Sequence, residues 1–141
     1  MMFVDASVIV AIINQEPGWE ELVKRLSEFA GERNVSPMVR FEAVVAVARA
    51  AAEVTGSKTT PDLVAKAWEL FDGFVTEIQA RELSLSSEIG SAAIEAGTCY
   101  GKVVGHPAGL NFGDYFAYAC ARALKTALLY KGNDFSQTDL A

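Results

Sequence analysis

The spacing of apolar residues changes period repeatedly along the chain, and each change marks an element. "FVD" reads as a short buried strand. "ASVIVAII" then holds too many apolar residues for a surface loop and predicts a helix closed by Pro17 and Gly18. "WEELVKRLSEFAG" carries Leu22, Val23, Leu26 and Phe29 at helical spacing and ends at Gly31. "RNVSP" predicts a brief strand stopped before Pro37, followed by the alanine-rich helix "MVRFEAVVAVARAAAEV", which Gly56 ends. After the linker "TGSKTTP", Thr60 caps a helix with Pro61 at its first position. Leu63, Val64, Ala67, Leu70, Phe71 and Phe74 lie along one face of it, and the two long helices are expected to form an antiparallel hairpin. "RELSLS" is expected as a third strand, Ser86 or Ser87 as the cap of "SSEIGSAAIEAGTCYG", "KVVGHPAGLNFG" as a loop, "DYFAYACARALK" as a helix and "ALLYKG" as a last strand. Short strands alternating with helices imply right-handed crossovers and an α/β fold with a parallel sheet wrapped by helices.

Composition narrows the class. At 141 residues and 51% hydrophobic content, the chain is expected to fold as one domain over residues 1–141. Cys99 and Cys120 form no C-x-x-C pair and read as small core residues in a reducing cytosol, so a cytoplasmic location is expected. The opening apolar run lacks a basic flank and contains Asp5, which argues against a signal peptide. No stretch is long enough to span a membrane. Twelve basic against eighteen acidic residues give a formal charge of -6. The surface as a whole therefore repels a polyanion, and any nucleic acid must be held locally.

The acids carry the chemistry. In open parallel sheets, ligands bind beyond the carboxyl ends of the strands, and four acids fall at that edge. Asp5 ends the first strand, Glu42 lies in the first turns of the helix after the second, Asp114 opens the helix after the long loop, and Asp134 follows the last strand. Asp5 interrupts an apolar run, so it must cap a helix, pair with a basic side chain or belong to a cation site. For Asp5 and Asp114 a helix-start role is the structural alternative, and for Asp134 a Gly-Asn-Asp turn is. Glu42 has Met38, Val39, Val45 and Ala46 as its helical neighbours, an apolar stripe without an ion-pair partner. An oxygen-only cluster suits magnesium or manganese. With His106 as the only histidine, nothing is available to build a zinc site. His106 itself reads as an exposed loop residue.

Other motifs fail. "GTCYGKV" is one residue short of a P-loop and has Val103 in place of the required Ser or Thr, and no G-x-G-x-x-G follows a strand. A phosphoacceptor receiver needs an acid where the third strand ends in "LSLSS", and a D-x-D phosphatase needs one at Ser7. Taken together, "FVDASVIVAII", "RFEAVVAV", "LNFGDYFAYACA" and "LLYKGNDF" resemble the four signature blocks of PIN-domain ribonucleases, and VapC-type toxins most of all. The resemblance covers nearly the whole chain. It implies a PIN-like three-layer sandwich with a short parallel sheet of four or five strands. It also implies Asp5, Glu42 and Asp114 as the main metal-binding acids, Asp134 as the fourth, and Ser7 and Asn111 as polar companions. It further implies RNA cleavage with Mg2+ or Mn2+, a homodimer, and silencing by a small VapB-like antitoxin. Because the chain closes on "DFSQTDLA" before a clear last strand, a short sheet edge is expected.

Phosphodiester hydrolysis fits an acid cluster that holds divalent cations. Arg40, beside Glu42 in sequence, and Lys102 in the long loop are candidates for phosphate contact, set against the plainer reading of solvated surface charges. Two rival functions remain: a PIN-like protein-binding module that no longer cuts, and a metal-dependent phosphatase, which would need an enclosed pocket.

Overall fold

The computed structural model describes residues 1–141. Its order is β1 (Met2–Val4), α1 (Ala6–Ile13), α2 (Trp19–Glu28), β2 (Arg33–Val35), α3 (Pro37–Val54), α4 (Pro61–Glu77), β3 (Arg81–Glu82), α5 (Ser87–Tyr100), α6 (Phe112–Leu124) and β4 (Ala127–Leu129). The four strands form one sheet in the order β3-β2-β1-β4, all neighbours parallel, with Met2 opposite both Arg33 and Ala127. Six helices flank it. β1 and β4 bury nearly all of their side chains, which is why they read as continuous apolar runs rather than alternating ones. Phe3, Val4, Val8, Ile9, Leu110, Leu129 and Phe135 fill the core.

Caps set where the helices begin. Ser36 accepts from the Val39 amide at 3.2 Å, Thr60 from Leu63 at 3.2 Å and Ser86 from Ile89 at 3.2 Å; the first two precede a proline at the first helical position. Ser86, not Ser87, is therefore the cap of α5. α3 and α4 pack against each other along their lengths.

Four local expectations need correction. β3 is two exposed residues rather than six, because β2 offers only three residues of ladder before Ser36 turns away as a cap. α2 stops at Glu28 rather than Gly31, and the Arg33 guanidinium bonds the Leu26 and Phe29 carbonyls that would have continued it. The long loop contains a single 3-10 turn, Lys102–Val104, and a bridge between Gly101 and Leu110. Cys120 is buried as expected, but Cys99 is exposed on α5.

Beyond β4 the chain forms turns rather than a fifth strand. Phe135 is buried there edge-on to Tyr130, while Asp139 accepts from Tyr118 at 2.7 Å and pairs with Arg122 at 3.2 Å. No helix is long and apolar enough to cross a membrane.

Candidate active site

β1 sits where the strand order reverses, with β2 on one side and β4 on the other, so the crevice beyond its carboxyl end is the natural ligand position of this sheet. Asp5 is the first residue past β1, and its amide extends the ladder by donating to the Leu129 carbonyl at 3.0 Å. It caps α1: one oxygen, Oδ2, accepts from the Ser7 amide at 3.1 Å and from the Ser7 hydroxyl at 2.5 Å. No basic side chain pairs with it, which removes one of the three readings of Asp5. Ser7 Oγ in turn accepts from the Lys131 amide at 3.0 Å, tying the segment after β4 to the first acid.

Asp114 is the third residue of α6 rather than its opener. Asn111 is the cap, and the two form a reciprocal box: Asn111 Oδ1 accepts from the Asp114 amide at 3.1 Å, and Asp114 Oδ2 accepts from the Asn111 amide at 3.0 Å. Asp5 and Asp114 are thus held alike. Each is only 7–8% exposed, and each has Oδ2 fixed at a helix start while Oδ1 carries no hydrogen bond. Glu42, half-buried on α3, carries no hydrogen bond or ion pair at all.

The acids sense one another. Burial, then the charges of Asp5 and Asp114, push the Glu42 carboxyl up to about 7. Burial raises Asp114 to about 6 despite its bond from Asn111, with Asp134 and Asp5 adding to the rise. Burial also raises Asp5 against the opposing bonds from Ser7, and Asp134 contributes. Asp134 is exposed on the turn after β4 and acts on Asp5 and Asp114 through its charge. As the side chains stand, no three acids close into a ready-made ion cage. The donor set nevertheless fits a hard divalent cation, being all oxygen, anionic and partly unbonded.

Gly113, the residue before Asp114, went unnoticed in the sequence. A Cβ there would overlap the Glu42 carboxylate, so α3 and α6 approach closely enough for Glu42 to reach the other acids only because position 113 has no side chain. The signal was a glycine inside a helix, where alanine would otherwise be preferred. Lys131, within "KGNDF", carries no signal in the sequence that separates it from the turn around it. It lies beside Glu42 and Ser7 on the wall of an open cleft of about 420 Å3.

Of the two candidate phosphate contacts, one is turned away from the acids and the other stands on an exposed turn. Arg40 is two residues from Glu42, about 200° around the helix, and it forms a two-pronged pair with Glu82 of β3. Lys102 is exposed in the 3-10 turn. His106 is partly buried and braces its own loop, with Nδ1 accepting from the Ala108 amide at 3.0 Å and the ring edge-on to Tyr100.

A short parallel sheet with acids gathered past its central strand defines a class, and the PIN domain model matches residues 2–140: the chain belongs to the PIN domain family. Within that family it is 55% identical, over 99% of both chains, to the VapC ribonuclease R02377 of Rhizobium meliloti. It is 32% identical to Ribonuclease VapC42 of Mycobacterium tuberculosis, covering 99% of this chain and 96% of that one. In fold it resembles Mycobacterium tuberculosis VapC20, described as a Sarcin-Ricin loop cleaving toxin, with a TM-score of 0.71 at 15% identity, covering 100% of this chain and 97% of that one. It also resembles VapBC2 from Rickettsia felis bound to a promoter DNA fragment, with a TM-score of 0.68 at 16% identity and coverage of 99% and 95%.

Proposed function

We propose that this protein is a divalent-metal-dependent endoribonuclease of the VapC kind, the toxin of a toxin-antitoxin pair. The observation that carries this reading is the set of acids past β1, two of them fixed through one oxygen with the other unbonded. Full-length 55% identity to a VapC ribonuclease supports RNA as the substrate.

Asp5, Glu42 and Asp114 would hold the cation, with Asp134 as an outer contributor. When bound, Mg2+ or Mn2+ supplies Lewis acidity, making water a competent nucleophile at neutral pH and offsetting charge on the phosphate. The protein's own part is positional. Ser7 and Asn111 lock Asp5 and Asp114, Gly113 admits Glu42, and burial desolvates Asp5 and Asp114. None of this requires a 2'-hydroxyl, so selection of RNA rests on groove shape and contacts to unpaired bases.

The cleft beside the acids is open, which suits a chain laid across it and not the enclosed pocket that a small-molecule phosphatase needs. An antitoxin partner is supported by likeness to toxin-antitoxin complexes. It is also supported by the apolar groove between α3 and α4, where Phe41 and Trp68 are 68% and 49% exposed. Exposed Ile94, Val103 and Phe112 on the α5–α6 face support a homodimer.

The test is RNA cleavage by the purified protein in magnesium or manganese, in EDTA, and after Asp5→Asn. Cleavage confined to the first condition is expected, and equal cleavage in all three would overturn the reading.

A further inference from the structure

The acid site needs a cation of its own for the substrate; Arg40 is held by Glu82 on the other side of α3, and Lys102 stands on the exposed turn after α5, outside the lining of the cleft beside Glu42. Lys131 is the one basic side chain lining the cleft that Glu42 and Ser7 border. Its main chain is fixed, because the amide donates to Ser7 Oγ at 3.0 Å and Gly132, at φ 91°, turns the chain away immediately afterwards. Its ammonium is free to move between partners. At present it donates to Glu16 Oε1 at 3.2 Å, in a pair only about one third exposed on either side. Glu16 reaches it because Gln15 takes a left-handed turn, φ 50°, just past α1.

Resting on the ribonuclease reading, we propose that Lys131 is the phosphate-binding residue of the cleft and that Glu16 is its placeholder, displaced when an RNA phosphate arrives. An isolated, solvent-accessible ion pair stabilises a fold by about 1 kcal/mol at most, so holding the fold together does not account for a lysine at this edge. A carboxylate and a phosphate offer the same anionic oxygens to an ammonium, so the exchange needs only a side-chain rotation. In a protein of charge -6, Glu16 also keeps the lysine from neutralising the metal-binding acids in the absence of RNA.

The test uses the full chain and a labelled single-stranded RNA of mixed sequence, in magnesium, across a series of KCl concentrations. Lys131→Met keeps the main-chain bond to Ser7, so the acids stay in place. It is expected to raise Kd and KM roughly tenfold, as for loss of one charge-assisted contact. The slope of log affinity against log salt should also flatten by about 0.7, the value for one phosphate of a single strand. Lys131→Arg should restore much of both, and the melting temperature should barely move. Glu16→Gln should tighten RNA binding in the wild-type background and change nothing in Lys131→Met. A Lys131→Met protein with wild-type KM and salt slope would overturn the assignment while leaving the ribonuclease reading intact. A wild-type protein that neither binds nor cuts the RNA would overturn both.

Discussion

Gly113→Ala isolates the role of Glu42 without touching any acid. The three atoms nearest the added Cβ all belong to the carboxyl end of Glu42, a flexible side chain, so the clash is relieved by swinging it away. An off-rotamer side chain costs about 0.5–1.5 kcal/mol. Replacing a helical glycine by alanine returns roughly 0.5–1 kcal/mol, and moving Glu42 off its acidic neighbours relieves repulsion. Stability in EDTA should therefore stay within about 1 kcal/mol of wild type by urea unfolding. Activity should not survive, since misplacing a reacting group by about 1 Å costs on the order of 100-fold. RNA cleavage in magnesium is the assay, with Glu42→Gln and the double variant measured alongside. If alanine acts only by displacing Glu42, adding it to Glu42→Gln costs nothing further. Cleavage within twofold of wild type by Gly113→Ala would refute the argument, and so would additive losses in the double variant.

Asp5→Asn keeps a side chain that can cap α1 and removes one charge from the cluster, so urea stability in EDTA should hold or rise while cleavage collapses; a large stability loss would mean that the charge is needed for folding. Because burial and neighbouring charges raise Glu42 from 4.5 to about 7, the folded state binds its proton more tightly than the unfolded state does, and stability in EDTA should fall as pH rises through that window. At 1.36 kcal/mol per pH unit the shift sets an upper bound of about 3 kcal/mol, and solvent screening of this half-buried carboxyl brings the effect well below it. Melting temperatures near pH 5 and pH 8 check it, and excess magnesium should raise the value near pH 8 far more than near pH 5. Arg40→Ala removes only a surface pair with Glu82, so it should change stability by less than about 1 kcal/mol and leave cleavage at the wild-type rate. Light scattering at micromolar concentration should give a dimer, and a monomer would count against the exposed α5–α6 face as an interface.

Much of this protein is decided by its sequence alone. Apolar periodicity, capping residues and proline positions act within a few residues of chain, so the helices, the proline-marked starts of α3 and α4 and the alternation of strands with helices can be read directly, whereas the start of α6 at Phe112 cannot. Parallel connection then follows, and with it the edge at which Asp5, Glu42, Asp114 and Asp134 must lie. What the sequence leaves open depends on contacts between distant segments. β3 is cut short by the length of its neighbour β2, and α2 is ended by an arginine in that same strand. Arg40 looked like a companion of Glu42 because it is adjacent in sequence, yet on a helix a two-residue step points to the other side. Lys131 and Glu16 are 115 positions apart and meet only because β4 lies beside β1. Gly113 acquires its meaning only from a carboxylate on another helix. Local rules place the acids on one edge of the sheet, but tertiary packing decides how closely they approach, which of their oxygens stay free and which cation stands beside them.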